Sequence, residues 1–229
     1  MSIISFWANN DDPKKDRIVF RIYGAKTELI IDRKCEQLCM NIAFRNDLSP
    51  PLYCTFDNGI VYGFVPGRVI DTKGVRDITI SRLIARKLAK FHSIKISQYI
   101  ENKMLDFHIP VFFRLIRRFL AAWKDRFGDP SSQNKFVGTF VSKADIELEV
   151  VFIEAAFERL KSPVVFCHND LLLNNIIYNN NEIGFIDFEY AGPNFQSFDI
   201  ANHFAEFAGF ASILGNLGDC SQIDFNYLE

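Results

Sequence analysis

The sequence predicts an α+β fold, and three observations carry that prediction. Short runs with strand character fall early, at Arg17–Tyr23, Leu52–Phe56 and Ile60–Val65. Runs with helical spacing dominate after Pro66-Gly67. Two later apolar runs, Ile176–Tyr178 and Ile183–Ile186, flank Asn179-Asn180-Asn181-Glu182. Asn tolerates the left-handed conformations of tight turns, so this reads as a β-hairpin. With 229 residues, 48% of them hydrophobic and 24 of them Phe, the chain can build one sizeable core and does not read as disordered.

Each element has its own justification. Arg17–Tyr23 alternates, with Ile18, Phe20 and Ile22 on one face and Val19, Arg21 and Tyr23 on the other. By pattern alone Arg21 is a surface residue on a strand. Asp32–Arg45 sets Cys35, Leu38, Cys39, Ile42 and Ala43 at helical spacing, with Asp32 as cap. Glu36 lies beside that stripe, where the bland reading is a solvated helix acid. Asp57-Asn58-Gly59 joins two strands as a hairpin. Ile80, Leu83, Ile84, Leu88 and Phe91 predict a helix that ends at His92, a cap or packing residue rather than a base. Phe112, Leu115, Ile116, Phe119, Leu120 and Trp123 predict another, with Arg114, Arg117 and Arg118 solvated beside it. A basic helix lying on an anionic membrane is the rival reading of that stretch. Asp125–Gly138 is polar, contains Gly, Pro and Ser, and predicts a flexible connection. Ser142 and Asp145 predict a capping box for a helix running to Leu160. Val164–Cys167 reads as a short buried strand, and His108 as structural or exposed.

Composition narrows the function classes. A net charge of −2 and a pI near 6.1 point away from nucleic-acid partners. Five cysteines, irregularly spaced, read as free thiols in a reducing compartment. Cys167-His168 has no second pair at zinc-finger spacing. No run approaches the ~20 apolar residues of an integral membrane segment. The start, MSIISFWANNDDPKK, lacks the basic region and long apolar run of a signal peptide, so cytoplasmic residence is expected.

The chemistry concentrates near the second hairpin. His168, Asp170 and Asn175 form H-x-D-x-x-x-x-N, and Asp187 and Glu189 follow the hairpin. The open end of the hairpin then carries Asn175 on one strand and Asp187 on the other. That is the layout of a magnesium-dependent phosphoryl-transfer site. Such chemistry needs an oriented nucleophile and neutralised phosphate charge. Asp170 would orient the acceptor hydroxyl, Asn175 and Asp187 would offer hard oxygen ligands to Mg²⁺, and Glu189 would be a second-metal or outer carboxylate. The bland alternative is a solvated acidic loop beside a hairpin.

HNDLLLNN followed by FIDFEYAGPNFQSFDIANHFAEFAG resembles the choline/ethanolamine kinase family. VFRIYGAKTELIIDRKCE, PPLYCTFDNGIVYGFVPGRVID and LIARKLAKFHSI agree, in the right order across Arg17–Gly209. RIYG-x-KTEL, LYCTF-x-NG and NHF-x-EFAG are more similar to the ethanolamine kinase branch. The resemblance implies a protein-kinase-like, two-lobed fold: a small β-rich N-terminal lobe over residues 1–65 and a mainly helical C-terminal lobe over 66–229 with a catalytic hairpin. It implies ATP and Mg²⁺ as cofactors and ethanolamine as acceptor, with choline as the alternative. It also makes Asp170 the base, Asn175 and Asp187 metal ligands, and Arg21 a phosphate contact that Glu36 pairs. The backbone at Phe64 and Val65 would meet the adenine, and Glu206 would lie beside the amino-alcohol pocket. A homodimer is compatible with it.

There are departures from the pattern. The family's earlier strand and phosphate-covering loop are not legible before Arg17, and Ser5–Asn9 would be their tail. The similarity fades after Gly209. Leu173-Asn174, Pro193, Ala201 and Gly63 differ from the usual residues, and Ala lacks the freedom of Gly if φ is positive. The chain therefore reads as truncated at both ends. That keeps two rivals open: an impaired form with a binding role, showing an exposed apolar patch on the large lobe, and a phosphotransferase for another small molecule, such as an aminoglycoside.

Overall fold

The computed structural model describes residues 2–7, 17–99, 109–124, 126–139 and 142–209. The expectations for His108, Cys220 and everything after Gly209 lie outside these residues. The N-terminal part is a four-stranded antiparallel sheet. β1 (Ser2–Trp7) pairs with β2 (Arg17–Ile22) in continuous register from Ser2↔Ile22 to Trp7↔Arg17. A strand therefore does precede Arg17, contrary to the sequence expectation. A six-residue run shows little by itself; the ladder to β2 is what makes it a strand.

β2 alternates as predicted, but the buried face is the other one. Val19 and Arg21 are buried, while Ile18, Phe20 and Ile22 are only partly so. The surface reading of Arg21 is wrong because carboxylates from elsewhere in the chain come to meet it. α1 (Arg33–Arg45) follows, capped by Asp32, whose side chain accepts from Cys35 N. β3 (Leu52–Phe56) and β4 (Gly59–Gly63) form the predicted hairpin and complete the sheet order β1-β2-β4-β3.

After Pro66 the chain turns helical. β5 (Arg68–Val69) leads into α2 (Thr72–Arg76) and α3 (Ile78–His92), the latter capped by Asp77 through Thr79 N and Ile80 N. α4 (Val111–Ala122) comes next. α5 (Pro130–Thr139) occupies the stretch expected to be a flexible connection. The Asp129 side chain accepts from both Ser132 N and Ser132 Oγ at 2.8 Å, and Pro130 opens the first turn, where its missing N–H is tolerated. Phe136 then packs on Trp123 and Phe127. The polar composition hid a capped helix with one aromatic anchor. α6 (Lys143–Leu160) starts with the predicted capping box.

β6 (Val164–Cys167) leads into the loop that carries Asp170. β7 (Ile176–Asn179) and β8 (Glu182–Phe185) form the second hairpin, with Asn180 and Asn181 both at positive φ. β5 adds to the β7 edge. β9 (Gly192–Phe195) returns to β6, and α7 (Gln196–Ala205) closes with a 3₁₀ turn at Glu206–Ala208. Ala201 lies inside α7, where helical φ suits it, so its replacement of Gly brings no strain.

The abundance of Phe is used in packing. Phe91 of α3 is fully buried between Phe166 of β6, 5.5 Å away, and Phe188, 5.9 Å away and parallel. A second cluster joins α4, α6 and β9, with Phe157 stacked on Phe195 at 3.7 Å. α3 and α7 also leave an apolar groove of about 420 Å³, lined in part by Ile84, Leu88, Ile200 and Phe204. No helix among the described residues is long and apolar enough to cross a membrane.

Gly67 sets the passage between the two parts. Its φ is +143°, and a Cβ there would lie 2.6 Å from Tyr178 O. Gly67→Ala is expected to lower stability by about 2–3 kcal/mol, read as a drop in the urea midpoint at unchanged m.

Candidate active site

The site is built around the loop between β6 and β7. Phe166 and Cys167 are wholly buried, which fixes where the loop begins. Asn169 takes a left-handed φ of 67°, and Asp170 follows it into the cleft. At the far end Ile186 N donates to Asn175 O at 3.0 Å, continuing the β7–β8 ladder. This one bond makes Asn175 a neighbour of Asp187. Asp187 itself sits at φ 63°, an uncommon conformation for a residue with a side chain.

Asn175 Nδ2 donates to Asp170 O at 2.9 Å and to Asp170 Oδ2 at 3.1 Å. The amide nitrogen is thereby committed, and Oδ1 is the atom turned the other way. The Asp170 carboxyl is pushed up to about 6 from its ordinary 3.8. Burial is the largest cause, the Asp187 and Glu189 carboxylates add to it, and the Asn175 amide pulls the other way.

Opposite lies Arg21, with 4% of its side chain exposed. Its Nη1 donates to Glu36 Oε1 at 2.9 Å and to Asp187 Oδ1 at 2.7 Å, and its Nη2 donates to Glu189. Glu36, 1% exposed, also accepts from Arg33 Nη1 at 2.8 Å. Burial alone would depress the Arg21 pKa, but the three carboxylates hold it above the usual arginine value. Glu36 is therefore no solvated helix acid. Arg33 was missed from sequence; it also donates to Glu189 at 3.3 Å and lies over the Tyr23 ring.

The larger omission is the scaffold beneath the loop. Asp199 is completely buried; its Oδ2 accepts from His168 N at 3.1 Å, and its Oδ1 from Asn169 N at 2.8 Å. His92 Nε2 stands 2.9 Å from the same carboxylate, so His92 does more than end α3. Asn202 Oδ1 accepts from Leu171 N at 2.8 Å, and Glu206 Oε2 accepts from Leu173 N at 2.9 Å. Asp199, Asn202 and Glu206 stand at i, i+3 and i+7 along α7 and its last turn. That polar stripe was visible in the sequence, since solvated polar residues need not keep helical spacing. His168 is buried too, and its Nε2 donates to Ile186 O at 3.0 Å, holding the residue before Asp187.

The structure thus brings together Asp170, Asn175, Asp187, Glu189, Arg21 and Glu36. It sets Glu206 under the loop, 1% exposed. Phe64 and Val65 follow the end of β4, where Phe64 N donates to Arg17 O at 3.2 Å and extends the β2–β4 ladder by one bond. Asp187 keeps 23% of its side chain exposed, and with the amide oxygen of Asn175 it makes a hard oxygen pair of the kind Mg²⁺ takes. The donor chemistry therefore fits that ion.

Known proteins resemble this chain over most of its length. A family model described as choline/ethanolamine kinase matches residues 3–218. A probable ethanolamine kinase of Nematostella vectensis is 44% identical over 194 residues, covering 84% of this chain and 54% of that protein. Ethanolamine kinase 1 of Homo sapiens is 39% identical over 202 residues, covering 87% of this chain and 43% of that protein. The chain spans about half the length of these relatives. Among solved structures, a Plasmodium vivax ethanolamine kinase superposes with a TM-score of 0.75 at 26% identity, covering 99% of this chain and 67% of that one. The choline kinase LicA of Streptococcus pneumoniae, at 16% identity and a TM-score of 0.63, shares the fold. The architecture is the protein-kinase-like, two-lobed α+β fold.

The raised Asp170 pKa has a stability consequence. The folded state binds this proton more tightly than the unfolded chain does, so stability falls as the pH rises from the ordinary 3.8 to about 6 and stays lower above that. In EDTA at pH 7.5, Asp170→Asn is expected to stabilise the chain by on the order of 1–2 kcal/mol, partial solvent screening included. The gain should vanish near pH 4, and thermal melts across that range would show it.

Proposed function

The chain belongs to the choline/ethanolamine kinase family, and we propose that it transfers the γ-phosphate of ATP to the hydroxyl of ethanolamine, giving phosphoethanolamine. The observation that carries this reading is the convergence of Asp170, Asn175 and Asp187 at the open end of one hairpin, with Arg21 facing them. The match to relatives named ethanolamine kinases supports the choice of acceptor. Choline is the alternative acceptor, since the family model covers both.

The residues divide the work. Asp170 orients the acceptor hydroxyl and takes its proton as the oxygen attacks phosphorus; a carboxyl held near 6 is a competent base at neutral pH. Asn175 Oδ1 and the Asp187 carboxylate would hold Mg²⁺, with Glu189 as the nearby second carboxylate. When bound, the ion neutralises charge on the transferring phosphate. Arg21 would add its own charge to the nucleotide phosphates, kept in position by Glu36. Residues 1–65 would form part of the N-terminal nucleotide-binding lobe and 66–229 the C-terminal catalytic lobe. Phe64 N is already paired, so the Val65 backbone is the better partner for an adenine. Glu206 would favour the acceptor ammonium by charge from beneath the loop; the same charge helps raise the Asp170 pKa.

Purified chain with Mg²⁺-ATP should release ADP in the presence of ethanolamine, and less with choline. Asp170→Asn should lower turnover by roughly 10²–10⁴-fold. Ethanolamine-independent release, or turnover unchanged in Asp170→Asn, would remove the assignment. A folded chain that binds nucleotide without turnover would point to the binding role instead.

A further inference from the structure

We propose that Arg33 is a positioning residue for the nucleotide end of the site: it holds Glu36 and Glu189 in place, so that Arg21 can turn its N–H groups to a phosphate. Naming that phosphate as a nucleotide's rests on the phosphotransfer reading above; the geometry of the cluster does not. Arg21 has few donors to spare. Both N–H groups of its Nη1 are engaged, one by Glu36 Oε1 at 2.9 Å and one by Asp187 Oδ1 at 2.7 Å, and its Nη2 donates to Glu189. A phosphate that draws on these donors takes one from a carboxylate. Glu36 is 1% exposed, and a carboxylate that deeply buried is costly to leave without a cation.

Arg33 supplies the second cation. Its Nη1 donates to Glu36 Oε2 at 2.8 Å and to Glu189 Oε2 at 3.3 Å. Glu36 is thus shared by two guanidiniums, one oxygen to each, and both guanidiniums reach Glu189 Oε2. Asp187 has its ion pair with Arg21. When Arg21 changes partner, Glu36 and Glu189 keep a charge-assisted bond to Arg33, and Asp187 is released with its carboxylate available to a metal ion.

The placement of Arg33 serves the cluster and not the helix. It is the first residue of α1, where the helix dipole disfavours a cation, and it stands three residues before Glu36, the less favourable order for an ion pair along a helix. Even so, only 14% of its side chain is exposed. Contacts outside α1 fix the guanidinium from the other side. Its Nη2 donates to Thr27 Oγ1 at 2.7 Å, Thr27 in turn donates to Gly24 O at 2.8 Å, and the guanidinium carbon lies 3.9 Å from the centroid of the Tyr23 ring. A lysine would keep the charge, but one ammonium lacks the planar fork that spans Thr27, Glu36 and Glu189 together.

The test is calorimetric binding of Mg²⁺-ADP to the full chain, at a temperature where every variant is folded. Arg33→Gln is expected to weaken binding about tenfold, with Arg33→Lys recovering part of the loss and Thr27→Val losing about threefold. Arg118→Gln is the control for a loosened helix start: it removes the contacts of Arg118 to Ile30 O and Asp32 without touching the cluster, and affinity should stay within about twofold. In turnover, Arg33→Gln should raise KM for Mg²⁺-ATP and leave KM for ethanolamine unchanged. A second measurement needs no ligand. In urea unfolding with EDTA, Arg33→Gln combined with Glu189→Gln should lower the midpoint by less than the two single changes added together, since they remove one shared contact. Three outcomes overturn the proposal: Mg²⁺-ADP affinity unchanged in Arg33→Gln or absent from the unaltered chain, an equal loss in Arg118→Gln, or additive midpoints. A chain that binds Mg²⁺-ADP but does not phosphorylate ethanolamine leaves Arg33 in its role and removes only the choice of acceptor.

Discussion

A guanidinium taken out of water must find its charge partners or leave the core, and Arg21 is buried with three carboxylates around it. Those carboxylates come from α1 and from the segment after β8. Arg21 itself comes from the middle of the N-terminal sheet, paired on both sides by β1 and β4. One side chain therefore ties the sheet, its helix and the hairpin end into a fixed relation. If any element moved, a charge would be left uncompensated in the interior. The same arrangement holds Asp187 in its left-handed conformation, because Nη1 grips its carboxylate at 2.7 Å.

The loop carrying Asp170 faces a related problem. Its backbone runs through the interior, where each N–H requires an acceptor. The answer is a polar stripe on α7: Asp199, Asn202 and Glu206 accept from the N–H groups of His168, Asn169, Leu171 and Leu173. The opposite side of α7 is apolar, with Ile200 and Phe204 in part exposed. A rigid helix thus stands in for the ladder partners that a loop lacks. It also places the negative charge of Glu206 near Asp170, which contributes to the raised proton affinity of that carboxyl.

Stability and chemistry pull against each other here. Asp170, Asp187 and Glu189 repel one another, and Asp170 gains little from its surroundings beyond Asn175. The phenylalanine core offsets this. Phe91, Phe185 and Phe188 surround the His168 ring, Phe166 stacks on Phe91, and this cluster backs the loop by buried contact area. An acidic cleft with a shifted carboxyl is then held open by a close-packed layer directly behind it.

Much of this was legible in the residues. The Asp57-Asn58-Gly59 and Asn180-Asn181 turns, the capping box at Ser142 and the periodicity of α1 and α3 are short-range signals, and they survive in the structure, whereas α4 buries Val111 and Phe113 and leaves Phe119 of its predicted stripe exposed. The spacing of Asp170, Asn175 and Asp187 around a hairpin is short-range as well, so their convergence could be read before it was seen. Other features were settled only by distant partners. Alternation in β2 does not say which face turns inward; Glu36, Asp187 and Glu189 settle that from 15 to 168 residues away. β1 needs β2 to be a strand, α5 needs Trp123 and Phe127 to hold Phe136, and Asp199 needs the loop it supports. The sequence by itself determined local conformation and the chemical inventory of the site, because both depend on neighbours along the chain. Only the tertiary structure decided which face, which partner and which charge state, because those follow from desolvation and from contacts that local periodicity does not encode.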